Sequence, residues 1–221
     1  MSRSHPTLLS NVPVFVPSAT LAEMARIVDA VEAAARLPEY RAAALSYAAA
    51  IAKRDFGPRG AFMGYDFHVT PDGPRLIEVN TNAGGAFLNV ILTRAQRACC
   101  AEGEAPFETD SAATFGAKVA RMFIDEWTRH RGAGKPKLIA IVDDMPERQH
   151  LYPEFQLAKA LLEEHDMEAV IADAEELDFD GHALSIHGRR IDLAYNRLVD
   201  FAWTNCATPR CGRPMSPVAW L

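Results

Sequence analysis

The chain has 221 residues, of which 49% are hydrophobic and 24% are charged, and its formal net charge is −6. This composition is normal for a soluble globular protein, and the acidic balance speaks against nucleic acid as a partner. No apolar run approaches the roughly 20 residues of a membrane-spanning helix, and polar residues and prolines interrupt the N-terminal apolar run where a signal peptide would be continuous. We therefore expect a cytoplasmic protein of one large or two small domains, without a membrane partner.

Helical periodicity dominates the first half of the chain. It predicts four helices, over residues 18–35, 38–53, 86–101 and 111–130. The first helix is expected to begin with a capping box formed by Thr20 and Glu23. The second helix is expected to begin at Pro38, because proline is well suited to the first helical position.

A β-hairpin is predicted between the second and third helices, over roughly 61–69 and 75–80, with an Asp-Gly turn signal at 72–73. Its second strand carries Glu78 and Asn80, which are two residues apart and therefore point to the same face of the strand. A carboxylate and an amide oxygen on one face form half of a site for a hard cation.

Glu78 and Asn80 have a second interpretation, as the solvent face of an ordinary hairpin. Glutamate and asparagine are poor strand formers, however, and the glycine-rich segment that follows can bring backbone close to a ligand. The pattern therefore favours the metal site. His68 is expected to be a surface histidine rather than a ligand.

The second half of the chain alternates strands and helices. The predicted elements are a strand over 137–142, a helix over 153–165, a strand over 167–172, a hairpin over 179–186 and a strand over 191–196. Strand–helix–strand order predicts a βαβ unit on a small parallel sheet. The Gly132–Pro136 segment is the best candidate for a domain boundary.

Two features of this half leave alternatives open. Asp143 and Asp144 follow a predicted buried strand, where they could contact a ligand or cap a helix. Arg197 could bind a substrate or could pair with Asp192 or Asp200. Elsewhere, the four cysteines lack the spacing of a zinc site, so we expect no cysteine-bound metal.

The block from Asp66 to Thr81, with the sequence DFHVTPDGPRLIEVNT, resembles the metal-binding end of the ATP-grasp ligases. In that family an acidic residue precedes a hairpin, and a Glu-x-Asn pair on the next strand binds Mg²⁺ and the phosphates of ATP. The resemblance implies Asp66, Glu78 and Asn80 as metal ligands, Asn80 and Asn82 as contacts to ATP, and ATP and Mg²⁺ as cofactors. Whether Asp66 faces the other two depends on the register of the hairpin.

The hairpin comes early in this chain and a βαβ region follows it, an order that resembles the circularly permuted, glutathione-synthetase-like branch of the family. By this resemblance Glu147, Gln149 and Arg197 are the expected substrate-binding residues, with Gln149 standing where the family has asparagine. Ala83 and Gly85 replace serines that contact the substrate in the family, so a general carboxylate–amine ligase is expected rather than glutathione synthesis.

The expected fold class is α/β, with a partial ATP-grasp-type α+β half that carries the metal-binding hairpin, followed by a small parallel-sheet βαβ substrate domain. The expected limits are 1–131 for the ATP-grasp-derived segment and 132–202 for the βαβ domain. Residues 203–221 are expected to be an irregular tail, because they show no helical or strand period, and their abrupt change in composition is consistent with a frameshift product.

The expected function is that of a fragment of an ATP- and Mg²⁺-dependent carboxylate–amine ligase that works through an acyl phosphate and is inactive alone. Its partner would be a small-molecule amino acid or peptide substrate, and a homodimer is compatible with the sequence. The alternative is a non-catalytic module that binds a small molecule on a scaffold derived from a ligase.

Overall fold

A computed structural model describes residues 8–10, 12, 14–48, 50–99 and 109–199 of the chain. These residues form a mixed α/β protein with five α-helices, one parallel sheet and two antiparallel sheets. None of the helices in these ranges is both long enough and apolar enough to cross a membrane. The predicted irregular tail at 203–221 lies outside the described residues.

The chain divides into two compact units. The hairpin unit consists of Val12–Asp55 and Phe62–Ala83, and the sheet unit contains Phe56–Ala61 together with the described residues from Gly84 onward. Gly132–Pro136 lies within the sheet unit. A division into compact units does not test where a segment of ATP-grasp origin would end. The predicted limits at 131 and 202 therefore stay predictions.

The hairpin unit contains two α-helices, one short 3-10 helix and two strands. They are α1 (Ser18–Ala35), α2 (Pro38–Ser46), a short 3-10 helix (Ala50–Lys53), β1 (Gly64–Thr70) and β2 (Gly73–Asn80). The extent of α1 confirms the prediction for the first helix. The predicted second helix is too long, because α2 ends at Ser46, whose hydroxyl donates to the carbonyl of Ala43 at 2.7 Å and so competes with the helical pattern.

The predicted capping box of the first helix is wrong. The helix begins two residues earlier than Thr20, with Pro17 as the preceding residue, and no side chain caps its first turn. The first helical bond runs from the N–H of Leu21 to the carbonyl of Pro17 at 3.1 Å. Pro17 lies outside the helix with an extended ψ of 142° and contributes only its carbonyl, so Ser18 is the first helical residue and Thr20 lies inside the first turn.

The hairpin turn lies within the predicted segment but is centred on Pro71 and Asp72. Thr70 pairs with Gly73 across the turn, and the Thr70 hydroxyl donates to the Gly73 carbonyl at 2.8 Å. Gly73 has a φ of +104°, a conformation that glycine adopts without strain. A proline in the second position and a glycine in the fourth match the preferences of a type I turn.

The sheet unit contains the remaining elements. Its helices are α3 (Ala86–Cys99), α4 (Thr109–Arg131) and α5 (Tyr152–Glu164), and its strands are β3 (Leu138–Asp143), β4 (Glu168–Asp173), β5 (Leu177–Phe179), β6 (Leu184–Ile186), β7 (Arg189–Arg190) and β8 (Leu193–Asn196). The parallel sheet has the order β4-β3-β8, and β5-β6-β7 form a small antiparallel sheet. The parallel pairing of β3 and β4 on either side of α5 confirms the predicted βαβ unit.

The central strand β3 forms the core of the sheet unit, with all six residues buried. Leu138, Ala140 and Val142 alternate along the strand and pack in one cluster with residues of β5 and β6. Ile139 and Ile141 are fully buried on the opposite face. Burial of both faces explains why the sequence reads as a continuous apolar run rather than as an alternating one.

Glu126 of α4 explains why the Phe56–Ala61 segment belongs to the sheet unit. Its carboxylate is 7% exposed and accepts the backbone N–H groups of Arg59 and Gly60 at 2.5 and 3.1 Å. The Arg129 side chain forms an ion pair with the same carboxylate. The segment is therefore attached to α4 by charge-assisted hydrogen bonds.

Candidate functional site

The register of the hairpin places the predicted metal ligands relative to one another. Asp66 of β1 pairs directly with Glu78 of β2, and Gly64 pairs with Asn80. Directly opposite residues of an antiparallel pair point to the same face, with Cβ atoms about 4.5–5.5 Å apart. Asp66, Glu78 and Asn80 therefore share one face of the hairpin, and all three are exposed.

A one-residue β-bulge produces this arrangement. Asp66 pairs with Glu78 but the next residue, Phe67, pairs with Leu76, so Ile77 has no partner on β1. Without the extra residue, Glu78 would point to the opposite face, because side chains alternate along a strand. The bulge thus turns Glu78 toward Asp66, in keeping with the frequent use of bulges to re-aim side chains at functional sites.

The same bulge lets the other face of the hairpin remain apolar. Val79 pairs with Tyr65 and Leu76 pairs with Phe67, so these four side chains share the face opposite to the acidic pair. Tyr65 donates its hydroxyl hydrogen to the carboxylate of Glu32 on α1. This hydrogen bond raises the pKa of Tyr65. Helix α1 therefore lies on the apolar face, and the acidic face points away from it.

The two opposed carboxylates have no protein partners within the part of the chain that the structure describes: Asp66 and Glu78 accept no hydrogen bond and form no ion pair. Like charges directly opposite each other destabilise a hairpin. A third acidic, histidine or cysteine side chain close enough to complete a metal cluster is also absent from the described residues. The donor set is therefore two carboxylates and the amide of Asn80.

Asn80 and Asn82, the predicted contacts to ATP, are connected by a local turn. The side-chain oxygen of Asn80 accepts the backbone N–H of Asn82 at 3.0 Å. This Asx-turn fixes the orientation of the Asn80 amide. Because an amide oxygen has two lone pairs, one of them stays available to a cation.

The predicted substrate-binding residues lie in the sheet unit, each in a different setting. Glu147 is exposed in the 3-10 helix Pro146–Arg148, which follows β3. The side-chain amide of Gln149 donates to the carbonyl of Asp144 at 2.7 Å. Arg197 follows β8, where its backbone N–H donates to Val142 at 2.8 Å and its guanidinium lies 5.4 Å from the ring centroid of Tyr195.

Glu147 lines a cleft of about 880 Å³ at the carboxyl ends of β3 and β4. Ligands of α/β proteins commonly bind at this edge of the sheet. Most charged groups in the cleft are acidic: Glu147, Asp173, Glu175, Glu176 and Asp178, against Arg148 and His187. The carboxylate of Asp173 accepts the N–H groups of Glu175 and Met145 at 3.0 Å each, so it serves the local backbone.

Sequence reasoning missed Glu154 on α5. This side chain is 4% exposed, and its Oε1 accepts the N–H of Gly85, immediately before α3, at 2.7 Å. Its Oε2 has no hydrogen-bond partner among the described residues. Burial raises the pKa of Glu154, although the N–H groups at the start of α3 and the charge of Arg197 favour the ionised form.

The glycines at 84 and 85 accommodate protein side chains. A Cβ atom at Gly84 would lie 2.8 Å from Leu151 and 3.0 Å from the guanidinium of Arg197, so any larger residue would displace them. Gly85 has a φ of +91° and presents its N–H to Glu154. The glycine-rich pattern predicts a close approach of the backbone to a ligand. In the structure, these glycines lie close to Arg197 and Glu154.

Arg197 is the positive centre of a group of buried acids. Asp143 is 9% exposed, and desolvation raises the pKa of this carboxyl while Arg197 lowers it. Its Oδ1 accepts the N–H of Asp144 at 2.8 Å, so it does not cap an α-helix. Desolvation raises the pKa of Tyr195 to about 12, and Phe123 packs edge-on against its ring with centroids 5.3 Å apart.

Removing either carboxylate of the opposed pair should stabilise the metal-free hairpin. We expect Asp66→Asn and Glu78→Gln each to raise the free energy of opening of the β1–β2 amides by roughly 0.2–1 kcal/mol, because each substitution ends the same like-charge repulsion. The double variant should gain less than the sum of the two. Hydrogen exchange in EDTA at low ionic strength measures the effect, with Asp72→Asn at the exposed turn as the control. Strict additivity would show that the carboxylates do not interact.

Glu154 should be replaceable by its neutral isostere but not by alanine. Glu154→Gln keeps an oxygen acceptor for the Gly85 N–H, whereas Glu154→Ala leaves that buried donor unpaired and should cost about 1–3 kcal/mol of unfolding free energy. Because the folded pKa is raised, the folded state takes up the proton at a higher pH than the unfolded state. Wild type should therefore gain stability relative to Glu154→Gln as the pH falls from 7 toward the unfolded pKa of about 4.3.

Urea denaturation at several pH values tests this expectation. If wild type instead lost stability relative to Glu154→Gln on acidification, the ionised carboxylate would be the form that the fold prefers. The raised pKa would then be disproved.

No model of a known protein family matches the chain, and no curated protein matches it. Its function must therefore be inferred from its own residues.

Proposed function

We propose that the chain carries the metal- and nucleotide-binding hairpin of an ATP- and Mg²⁺-dependent carboxylate–amine ligase of the ATP-grasp type, in the permuted glutathione-synthetase-like arrangement. The observation that supports the proposal best is the register that sets Asp66 opposite Glu78, with Asn80 on the same face. This is the donor set that the Glu-x-Asn resemblance implies. The proposal extends to an α/β fold of ATP-grasp origin.

The chemistry of the donors fits Mg²⁺ better than Ca²⁺ or Zn²⁺. Mg²⁺ binds hard oxygen ligands at about 2.0–2.1 Å and commonly takes one or two carboxylates while keeping waters or substrate phosphates. Ca²⁺ takes about 6–8 oxygen ligands, and its protein sites commonly supply more carboxylate and carbonyl oxygens than this face offers. Zn²⁺ prefers sulfur and nitrogen ligands. Open coordination positions are what a nucleotide's phosphates need.

In the proposed reaction, an oxygen of the substrate carboxylate attacks the γ-phosphorus of ATP and ADP leaves. The amine then attacks the acyl carbon, inorganic phosphate leaves, and the amine gives up a proton as the amide forms. Bound Mg²⁺ would neutralise the phosphates and orient the γ-phosphoryl group. By the family resemblance Arg197 would hold a substrate carboxylate, with Glu147 and Gln149 as polar contacts to an amino acid or peptide.

The resemblance covers roughly residues 61–202 and does not include the lysines and glycine-rich lid that grip ATP in such ligases. Binding of the cation, without turnover, is therefore the activity expected of this chain alone. This expectation makes equilibrium binding the appropriate test.

Mn²⁺, a paramagnetic substitute for Mg²⁺, should bind to the chain weakly, with a dissociation constant of about 10⁻⁴–10⁻³ M as for the weakest Ca²⁺ sites, because affinity falls with the number of charged ligands and this site has only two. Glu78→Gln should weaken binding at least about tenfold, because a carboxylate ligand is lost where only two exist. Electron paramagnetic resonance of free Mn²⁺ measures both constants. Excess Mg²⁺ should displace the bound Mn²⁺.

Asp72→Asn is the matched control, since it removes one negative charge from the same hairpin at an exposed position in the turn. Equal Mn²⁺ affinities for Glu78→Gln and Asp72→Asn would mean that the ion responds to net charge rather than to this site. That result would refute the proposed metal centre.

A non-catalytic binding module is the second candidate function. The cleft of about 880 Å³ in the sheet unit supports it, because this cleft contains Glu147 and lies at the sheet edge where α/β proteins bind small molecules. Its acidic lining favours ligands that carry an amino group.

We expect calorimetry to detect binding of an amino acid or dipeptide in EDTA without ATP if the module is real. A strict requirement for Mg²⁺ and ATP would favour the ligase instead.

A further inference from the structure

The face of the hairpin that carries the predicted metal ligands also carries a basic position. His68 and Asp66 are two residues apart on β1, and His68 pairs directly with Arg75 of β2. Arg75 therefore shares a face with Asp66 and Glu78. On this face the acidic pair lies nearer to Gly64, and Arg75 lies nearer to the turn.

Arg75 does not neutralise the acidic pair. It is exposed, and in the described part of the chain it forms no ion pair and its side chain makes no hydrogen bond. The guanidinium thus stays available beside two unpaired carboxylates.

The spacing of these groups suits a ligand with several anionic oxygens in series. Asp66 and His68 are two strand positions apart, so the acidic pair and the Arg75 pair are separated by about 7 Å along the hairpin. A cation at the acidic pair attracts anionic oxygens, and a guanidinium binds phosphate oxygens through parallel N–H donors. An oligophosphate chain can contact both at once, with one phosphate on the cation and the next on the guanidinium.

We propose that Arg75 binds the oligophosphate of a metal–nucleotide complex, contacting a phosphate group next to the one that coordinates the cation at Asp66, Glu78 and Asn80. The inference rests on the proposed function, since it requires the cation. It assigns Arg75, which the family resemblance does not mark, as the residue that gives this hairpin affinity for polyphosphate rather than for a bare divalent ion.

Tripolyphosphate with Mn²⁺ is the probe, because it contains the phosphate chain without base or ribose. Arg75→Gln should weaken Mn²⁺-dependent tripolyphosphate binding at least about tenfold, the effect of losing a charge-assisted bidentate contact. Its affinity for Mn²⁺ alone should stay within about threefold of wild type, because the ligands are intact. The tripolyphosphate affinity of Arg75→Lys should lie between those of wild type and Arg75→Gln, since a lysine keeps the positive charge but lacks the paired N–H donors of a guanidinium.

Arg26→Gln is the matched control: Arg26 is an exposed arginine on α1 of the same unit. It should leave tripolyphosphate binding unchanged. Circular dichroism confirms that each variant is folded, and calorimetry gives the affinities. The loss caused by Arg75→Gln should be the same with ATP as with tripolyphosphate, because the proposed contact is to phosphate.

Each other outcome overturns the inference in a distinguishable way. If wild type binds Mn²⁺ but Arg75→Gln binds tripolyphosphate as Arg26→Gln does, Arg75 is not a phosphate contact, while the proposed metal site stands. If Arg75→Gln weakened the binding of ATP but not of tripolyphosphate, Arg75 would contact the base or the ribose rather than the phosphates. If wild type binds no Mn²⁺, the proposed function fails and the inference fails with it.

Discussion

The pairing of Asp66 with Glu78 is the constraint on which the functional interpretation depends. Two carboxylates that face each other across a hairpin repel, and here no side chain among the described residues compensates them. A protein retains such an arrangement at a cost to local stability, which a bound cation would offset. Under the proposed function, occupancy of the site would therefore stabilise the hairpin, while the packing of α1 against its other face, which includes the Tyr65–Glu32 hydrogen bond, stabilises it without a cation.

In the sheet unit, a comparable role belongs to one buried carboxylate. Glu154 comes from α5, yet it accepts a hydrogen bond from Gly85 at the start of α3, so it joins two helices that are distant in sequence. Arg197 lies beside the same glycines and beside Tyr195. The start of α3, the glycine turn before it and the guanidinium of Arg197 are thus held close together. A change in any one of them is therefore felt by the others through direct contact.

The sequence was sufficient to predict where the helices lie, though not the end of α2 or the start of α1, and also the βαβ unit and the shared face of Glu78 and Asn80, because these follow from local periodicity. It could not predict the bulge at Ile77, since that residue matches an ordinary strand pattern and its exclusion from pairing depends on where Leu76 and Val79 pack. Glu154 was missed for the same kind of reason. In the sequence it is one of several acids near a helix start, and its distinguishing contact lies 69 residues away.

The unpaired Ile77 has a consequence for how this segment can vary between related chains. Which face Glu78 presents is set by the number of residues between Arg75 and Glu78, not by which residue occupies position 77. The stretch can therefore accept many substitutions at 77, whose side chain is 62% exposed. A single insertion or deletion there would exchange the polar and apolar faces over the rest of β2, so the hairpin should tolerate a change of residue at 77 far better than a change in the length of this segment.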